Sequence, residues 1–453
     1  MNVDIINPWT GQCDYRYDYM QEPQVEALLA ASAHGFADWS RRTLCERAAV
    51  LRRVATGLRQ ERATLAALMS AEMGKLQREG LAEIDKSAAC CEYYADHAGD
   101  YLADEPIATE AIRSYVSYQP IGCVLAIMPW NFPVWQVFRF LAPALMAGNV
   151  ALLKHAITVP RCADAIARVV HAAGVPGGAF AALHIDNAMA ARVIADARIA
   201  AVTLTGSERA GRSVAATAGK NLKKCVLELG GSDAFIVLDD ADLDRAITVA
   251  VASRFGNAGQ TCIAAKRFIV VKKALKGFTD RLLSAAQGLI VGDPLHAATT
   301  LAPMARADLR SAVHGQVERS IAAGARAVVG CQLPQHPCAY PASVLAGVVP
   351  GMPAYDEELF GPVASILAAN DDADAVRIAN DTRFGLGASV WGEDRERAER
   401  IARALDVGAV FVNALVRSDV RLPFGGSKQS GYGRELAEHG IREFVNIRSV
   451  WVD

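Results

Sequence analysis

The chain lacks long apolar runs, and it lacks an excess of either charge. No uninterrupted apolar run among its 453 residues approaches the roughly 20 residues that a membrane-spanning helix needs. The 47 basic side chains nearly balance the 49 acidic ones, so the net charge of -2 creates no global field that would attract nucleic acid or an anionic membrane. The N-terminus lacks the basic segment and apolar core of a secretion signal. We therefore expect a cytoplasmic protein that acts on small molecules.

Paired cysteine motifs are also absent, although the chain contains ten cysteines. The cysteines stand at irregular positions, with Cys90 and Cys91 adjacent, and no C-x-x-C pair or histidine lies at the spacing of a metal site. This pattern indicates reduced thiols, and we expect no structural metal.

Length and composition indicate a multidomain globular protein. A chain of 453 residues is too long for one core of ordinary size, and 52% hydrophobic with 21% charged residues is typical of soluble proteins. Two or three domains are expected.

Continuous apolar runs alternate with helical stretches from residue 121 onward. In the first half the runs cover residues 123–128, 150–153, 180–185 and 201–204. Apolar strands of this kind predict a parallel sheet that helices cover on both faces. The second half repeats the alternation, with strands predicted at residues 234–238, 267–271, 363–367, 388–391 and 409–412. The sequence therefore predicts an α/β fold with two parallel-sheet domains, whose ligands bind beyond the carboxyl ends of the strands.

Two further segments predict strands outside these sheets. Residues 115–118 (YVSY) alternate in the manner of an exposed aromatic ribbon. Residues 443–452 form a strand-like run with no sequential neighbour, so this run must pair elsewhere. We expect it to extend a sheet, with a sheet of another subunit as one option.

One stretch, residues 257–267 (NAGQTCIAAKR), carries a cysteine between a predicted helix and a predicted strand. Residues 242–255 begin with a capping aspartate and place apolar side chains at helical spacing, whereas residues 267–271 form an apolar strand. Cys262 therefore lies on a turn where polar groups can converge on a ligand. A free cysteine is more often a small buried hydrophobe. The functional interpretation of Cys262 depends on motifs elsewhere in the chain.

Two glycine turns follow predicted strands. Thr205-Gly206-Ser207 ends a strand and opens a helix containing Gly211, so backbone N–H groups and the helix dipole could hold a phosphate there. The turn lacks G-x-G-x-x-G spacing, however, and glycine turns after strands are also frequent for steric reasons alone. The second turn, ELGG, places the carboxylate of Glu228 at a strand end, where a solvated acid is the ordinary alternative. Neither turn alone identifies a function.

Together these segments resemble the aldehyde dehydrogenase superfamily over essentially the whole chain. The resemblance rests on seven motifs in the family's order, namely MPWNFP (128–133), LLKHA (152–156), TGS (205–207), ELGG (228–231), GQTC (259–262), EELFGPV (357–363) and PFGGSKQSGYGRE (423–435). Within the superfamily the chain looks most like the short branch of bacterial succinate-semialdehyde dehydrogenases, which shares IMPWNFPVWQVFR, LLKHA, AAKRFIV and GYGRELAEHGIREFVNIRSVWV.

The resemblance implies a division of the chain. A Rossmann-like NAD(P)-binding domain is expected at residues 1–112 and 120–228, and a catalytic domain at residues 229–424. Residues 113–119 and 425–453 are expected to form a small β ribbon for oligomerisation. A homodimer or homotetramer is the assembly that this arrangement implies.

The resemblance also implies a covalent mechanism that these residue types can support. A Cys262 thiolate would attack the aldehyde carbonyl, because sulfur is nucleophilic near neutral pH and can leave again from a thioester. The Asn131 amide and the Cys262 backbone N–H would stabilise the oxyanion of the thiohemiacetal. Glu228 would act as general base on the water that hydrolyses the thioester.

NAD, NADP or both are the cofactors that the resemblance implies. The family pattern places Lys154 at the adenosine ribose. Ile157 stands where members that prefer NAD often carry an acid that repels a 2'-phosphate. We therefore expect activity with both nucleotides. The other residues expected at the cofactor are Trp130, Thr205, Gly206, Ser207, Gly211, Leu229, Glu358 and Phe360.

Arg139 is the residue expected to recognise a substrate carboxylate. It matches a position where succinate-semialdehyde dehydrogenases carry an arginine facing the aldehyde tunnel, but a salt bridge to an acid of the protein is the alternative. A second substrate arginine found in some relatives is replaced by Gly256 here. Ala264 stands where some relatives carry a second cysteine that could close a regulatory disulfide, so we expect no redox switch. The other residues expected to contact the substrate are Trp135, Arg417, Ser418 and Phe424.

The sequence therefore favours NAD(P)-dependent oxidation of an aldehyde to a carboxylic acid, with succinate semialdehyde as the leading substrate. Glutarate semialdehyde, an aminoaldehyde or an aromatic aldehyde are alternatives, because the motifs do not fix the loops that select the substrate. An inactive relative with a binding or structural role is a further alternative, against which the intact Cys262, Glu228, Asn131 and Lys154 argue.

Overall fold

The computed structural model describes residues 2–453 as an α/β protein with two large sheets. The helices are α1 (Glu22–Trp39), α2 (Leu44–Gln60), α3 (Arg62–Met73), α4 (Gln77–Tyr101), α5 (Trp135–Ala147), α6 (Pro160–Ala172), α7 (Asn187–Ala195), α8 (Glu208–Lys220), α9 (Leu243–Phe255), α10 (Lys272–Gln287), α11 (Ala307–Ala322), α12 (Pro353–Asp356), α13 (Asp372–Asn380), α14 (Arg395–Arg403) and α15 (Ala437–Arg442).

The strands are short and follow the same alternation. They are β1 (Asn2–Ile6), β2 (Cys13–Asp18), β3 (Glu105–Pro106), β4 (Arg113–Pro120), β5 (Cys123–Met128), β6 (Val150–His155), β7 (Phe180–Ala182), β8 (Ile199–Thr205), β9 (Lys224–Glu228), β10 (Asp233–Val237), β11 (Ala265–Val271), β12 (Arg326–Val329), β13 (Ser343–Ala346), β14 (Val363–Ala369), β15 (Phe384–Gly385), β16 (Gly387–Trp391), β17 (Ala409–Val412), β18 (Ser427–Lys428), β19 (Gly431–Tyr432) and β20 (Val445–Val452).

The first large sheet has six strands in the order β19-β9-β8-β5-β6-β7. All its strands run parallel except the edge strand β19, which pairs antiparallel with β9. Helices pack against it because its central strands are apolar on both faces, as β5 shows with four consecutive fully buried residues. The predicted parallel sheet in the first half of the chain is confirmed.

The second large sheet has seven strands in the order β12-β13-β14-β11-β10-β16-β17. Only the edge strand β12 is antiparallel, and it pairs with β13. The five strands predicted for this half correspond to β10, β11, β14, β16 and β17, which confirms the second α/β unit. The four-residue strands β12 and β13 were not predicted.

A third, three-stranded sheet has the order β20-β4-β3. Its strand β20 pairs antiparallel with β4 along its whole length, from Val445 opposite Pro120 to Val452 opposite Arg113. The terminal strand therefore extends a sheet of its own chain. Ile447 and Trp451 on this strand are 62% and 50% exposed, so one face of the ribbon is apolar and open.

The carboxyl ends of the first sheet bring the predicted site residues to one edge. Strands β5, β6, β8 and β9 end at Met128, His155, Thr205 and Glu228. The loops that follow β5 and β8 carry Asn131 and Ser207, as parallel strands of a common sheet require. No helix within residues 2–453 is long and apolar enough to cross a membrane.

Candidate active site

The turn that carries Cys262 is held tightly between α9 and β11. Asp242 caps α9 by accepting the backbone N–H groups of Asp244 and Arg245. The helix ends at Phe255, and a 3-10 turn (Gly256–Gly259) follows. A Cβ at Gly259 would lie 2.3 Å from a backbone oxygen of a neighbouring segment, so only glycine allows this close approach.

Cys262 lines a cavity of about 330 Å³. The thiol is half-buried, and burial raises its pKa to about 11, against the opposing charges of Arg139 and Lys266. The structure places all five residues predicted for the substrate on the wall of the same cavity, namely Trp135, Arg139, Arg417, Ser418 and Phe424.

Asn131 is fixed beside the cysteine turn, because its side chain donates a hydrogen bond and its backbone carbonyl accepts two. Its side-chain Nδ2 donates to the carbonyl oxygen of Gln260 at 2.9 Å. Its own carbonyl accepts from Lys75 Nζ at 2.7 Å and from Asn257 Nδ2 at 2.9 Å. The loop after β5 and the turn before β11 are therefore joined at this residue.

A buried ion pair between Lys75 and Glu83 supports the Asn131 loop. Glu83 Oε1 also accepts the backbone N–H groups of Val134 and Trp135, at 2.8 and 2.9 Å, where α5 begins. A carboxylate at this end complements the helix dipole. Neither Lys75 nor Glu83 was predicted as a site residue, because no local sequence pattern shows that they meet.

Glu228 lies at the end of β9 and is buried, with neither carboxylate oxygen bonded to any partner within residues 2–453. Burial raises its pKa well above the ordinary value of 4.5, and the charge of Glu435 raises it further, whereas Arg139 opposes the shift. A carboxyl group with a raised pKa exchanges protons closer to neutral pH, as a general base must.

Arg139 is 2% exposed and forms an ion pair with Glu435. Its guanidinium also donates to Thr205 Oγ1 at 3.2 Å and lies 4.6 Å from the ring centre of Phe424. The internal salt bridge, considered above as the alternative, is thus the arrangement that the structure shows. Arg139 also lines the cavity, so its contact with a substrate carboxylate stays a prediction.

Lys86 on α4 contributes a second cation to the cavity wall, and sequence reasoning missed it. Its Nζ donates to Ser418 Oγ at 2.7 Å and lies 4.0 Å from the ring centre of Trp135. A signal was present in the sequence: Glu79, Glu83 and Lys86 recur at helical spacing and therefore share one face of α4.

Lys266 is a further missed residue, which connects the cysteine turn to a predicted cofactor residue. Its Nζ donates to the carbonyl oxygens of Thr261 and Cys262 at 2.9 and 2.6 Å, and lies 3.2 Å from Glu358 Oε1. Glu358 in turn accepts the backbone N–H of Gly231 at 3.0 Å. The adjacent basic pair Lys266-Arg267 at the start of the otherwise apolar strand β11 was the signal that could have identified it.

The predicted phosphate turn lies between β8 and α8. Ser207 caps α8 by accepting the backbone N–H of Ala210 at 3.3 Å, and Gly206 N–H donates to the carbonyl of Glu228 at 2.9 Å. A Cβ at Gly211 would lie 2.7 Å from the side chain of Leu229, so glycine lets α8 pack against the second glycine turn. The helix N-terminus at Ser207 fits a pyrophosphate.

The remaining predicted cofactor residues are Lys154, Ile157, Trp130 and Phe360. Lys154 is buried at the end of β6, and burial lowers its pKa. Ile157 is 38% exposed, and its carbonyl accepts from the hydroxyl of Tyr17 at 3.1 Å. The rings of Trp130 and Phe360 meet edge to face at 5.9 Å. This set of a lysine, a helix N-terminus and two aromatic rings fits a dinucleotide.

Comparisons with known proteins agree with this geometry. The profile of the aldehyde dehydrogenase family matches residues 1–450. The chain is 49% identical to a probable succinate-semialdehyde dehydrogenase [NADP(+)] of Synechocystis sp., with 100% of both chains covered. It is 46% identical to the succinate semialdehyde dehydrogenase [NAD(P)+] Sad of Escherichia coli, over 99% of this chain and 97% of that protein.

A solved structure shows the same fold. The crystal structure of succinic semialdehyde dehydrogenase from Streptococcus pyogenes, in complex with NADP+ as the cofactor, superposes with a TM-score of 0.97 at 39% identity and 99% coverage of both chains. Because the family profile and these relatives span essentially the whole chain, the protein belongs to the aldehyde dehydrogenase family.

Proposed function

We propose that the protein oxidises succinate semialdehyde to succinate with NADP or NAD, through a covalent bond to Cys262. The observation that carries this proposal is the Cys262 thiol on the wall of a cavity of about 330 Å³, with cationic side chains on the same wall. The relatives named as succinate-semialdehyde dehydrogenases support the choice of substrate.

The first step is attack of Cys262 Sγ on the aldehyde carbon. Since burial holds the thiol pKa near 11, the proton must leave to a base before or during attack. The Asn131 amide and the Cys262 backbone N–H are the donors for the oxyanion. Asn131 suits this role because Lys75 and Asn257 fix its backbone.

The second half of the reaction releases the acid. A nicotinamide cofactor held near Lys154 and Ser207 would supply the hydride acceptor that converts the thiohemiacetal of Cys262 to a thioester. Glu228 then takes a proton from the water that attacks this thioester. Its carboxylate has no competing hydrogen bond within residues 2–453 and sits in a low-dielectric site, so it can hold that proton.

The cofactor site is proposed to accept the 2'-phosphate of NADP. Ile157 provides no carboxylate to repel this phosphate, and Lys154 provides a nearby positive charge on the adjoining strand end. The predicted division of the chain also stays a proposal: the six-stranded sheet would bind the cofactor and the seven-stranded sheet would carry the nucleophile.

Association into a homodimer or homotetramer is proposed from the edges of the sheets. Strand β20 is an edge of the ribbon, and β17 is an edge of the second large sheet with all four residues half-buried. Edge strands with apolar faces need a partner to avoid nonspecific pairing. Light scattering after size-exclusion chromatography should report a dimer or tetramer, and Trp451→Lys should shift it toward monomer; a monomeric parent protein would contradict this.

A panel of aldehydes, each assayed with NADP and with NAD by the absorbance of the reduced nucleotide, tests the proposed reaction. We expect the highest kcat/KM with succinate semialdehyde, and succinate as the product. A higher kcat/KM for an aminoaldehyde or an aromatic aldehyde would assign the protein another substrate.

A further inference from the structure

Lys266 is a buried cation beside the nucleophile that no step of the proposed reaction uses. Its side chain, on strand β11, is 1% exposed. Its Nζ donates to the carbonyl oxygens of Thr261 and Cys262 at 2.9 and 2.6 Å, and Glu358 Oε1 lies 3.2 Å away. An ammonium group carries three N–H donors, so these three oxygens occupy all of them. Lys266 therefore has no donor left for a substrate and acts through the groups that it already contacts.

The contact with Thr261 fixes the direction of the Cys262 backbone N–H. The Thr261 carbonyl and the Cys262 N–H belong to one trans peptide group, whose planarity points them in opposite directions. Two donors hold this carbonyl, because the backbone N–H of Ala264 also donates to it at 3.2 Å. The Cys262 N–H itself donates to no acceptor within residues 2–453. It therefore points away from Lys266 as a free donor.

The contact with the Cys262 carbonyl brings a positive charge close to the thiol. Only the carbonyl carbon, Cα and Cβ of Cys262 separate this oxygen from Sγ. Burial raises the pKa of the thiol to about 11, and the charges of Arg139 and Lys266 oppose that increase. The nearby carboxylates of Glu358 and Asp233 raise the thiol pKa instead. Lys266 therefore favours the thiolate form of Cys262.

We propose that Lys266 is a positioning residue, which holds the peptide groups on both sides of Cys262 so that the Cys262 N–H is aimed at the oxyanion. This inference rests on the proposed function, because it assumes that an aldehyde reacts with Cys262. An oxyanion donor has its full effect only when it is aligned before the reaction. A cation on the Thr261 carbonyl also polarises that peptide, which strengthens its N–H as a donor.

Arg267, the next residue of β11, provides a matched control. It is also 1% exposed, and its guanidinium donates to the backbone carbonyls of Ser232, Ile378 and Ala379 at 2.9, 2.8 and 2.9 Å. None of these carbonyls belongs to the cysteine turn. Arg267→Met and Lys266→Met each remove a buried cation and its backbone contacts from the same strand. A difference between the two variants therefore reports on the cysteine turn rather than on general packing.

Alkylation of Cys262 by iodoacetamide, without cofactor or aldehyde, tests the effect of the charge. The reaction is followed by mass spectrometry of the peptide that contains Cys262. At about pH 8.5 we expect Lys266→Met to react about tenfold more slowly than the parent protein, because one pKa unit changes the thiolate fraction about tenfold. Arg267→Met should react within about twofold of the parent rate. An unchanged rate in Lys266→Met would overturn the proposal.

Protection of Cys262 by an aldehyde in the cofactor-free protein tests the oxyanion donor. A thiohemiacetal blocks alkylation, and its oxygen accepts from the donors that serve the oxyanion. The concentration of succinate semialdehyde that halves the alkylation rate should rise about ten- to a hundredfold in Lys266→Met, somewhat less than the effect of removing a donor outright. Arg267→Met should need nearly the parent concentration. A value within about twofold of the parent in Lys266→Met would overturn the proposal.

Two further variants complete the design. Lys266→Arg returns a charged donor and should recover part of both losses; recovery of neither would contradict the proposal. If urea unfolding shows that Lys266→Met is not folded, Lys266→Gln removes the charge while keeping a polar side chain, and the same two results are expected of it. A parent protein that no concentration of succinate semialdehyde protects would contradict the proposed function, and the alkylation rates, which need no aldehyde, would then decide the role of Lys266.

Discussion

Arg139→Met should destabilise the protein by an amount that depends on pH. The change leaves the Glu435 carboxylate buried, with no hydrogen-bond donor among residues 2–453. The carboxyl group can avoid that cost by keeping its proton. At pH 7, which is 2.5 pH units above the ordinary pKa of 4.5, a Glu435 that stays protonated in the folded variant lowers the free energy of unfolding. At about 1.36 kcal/mol per pH unit, the loss is about 3.4 kcal/mol. This value is an upper limit, since burial already raises the pKa of Glu435 in the parent protein.

The sign of the pH effect follows from proton binding. Between the unfolded pKa and the folded pKa, the folded variant holds a proton that the unfolded chain has lost, so stability falls as pH rises. At pH 5.5 the same calculation gives about 1.4 kcal/mol, less than half of the value at pH 7. Urea unfolding of the parent protein and of Arg139→Met at pH 5.5 and pH 7 measures the difference in unfolding free energy at each pH.

The double variant Arg139→Met with Glu435→Gln supplies the control. It removes both charges, so most of the pH-dependent loss should disappear. A loss of stability in Arg139→Met that is the same at pH 5.5 and pH 7, or that persists unchanged in the double variant, would refute the account of this ion pair.

Three further predictions address the nucleophile, the base and the cofactor. In the cofactor-free protein, alkylation of Cys262 by iodoacetamide should accelerate about tenfold per pH unit between about pH 7 and 9, because the thiol pKa is about 11; a plateau in this range would contradict that pKa. Glu228→Gln should increase the free energy of unfolding by an amount that grows as pH rises above 4.5, since folding raises the pKa of the Glu228 carboxyl group above that of the unfolded state; a pH-independent difference would contradict the raised pKa. Ile157→Glu should lower kcat/KM with NADP about tenfold relative to NAD through repulsion of the 2'-phosphate, whereas Ile157→Gln should not; equal effects with both nucleotides would place residue 157 away from that phosphate.

The sequence predicted most of the parallel strands of the two large sheets because these strands are continuous apolar runs, whereas β12 and β13 were not predicted. Residues 123–128 and 409–412 were predicted with the bounds that the structure shows for β5 and β17. The hairpin of β1 and β2 was not predicted, since CDYRYD in β2 has no continuous apolar face. Its pairing with β1 cannot be read from a local sequence pattern.

The candidate site was predictable where a motif includes the residue and less so where distant charges meet. The turn around Cys262 and the strand end at Glu228 follow from local patterns of helix, strand and glycine. The pairing of Arg139 with Glu435 joins residues almost 300 positions apart, and no spacing rule identifies it. For the same reason the contact of Lys86 with Ser418, which lie 332 positions apart, could not be predicted from spacing.

The most direct test of the central claim is mass spectrometry of the covalent intermediate. Glu228→Gln protein is mixed with NADP and succinate semialdehyde, quenched with acid and digested, and the peptide that contains Cys262 is analysed. Because this variant lacks the base for hydrolysis, the account predicts a succinyl thioester on Cys262 and one equivalent of reduced cofactor per active site. An unmodified Cys262 peptide accompanied by reduced cofactor, or a succinyl group on another cysteine, would contradict it.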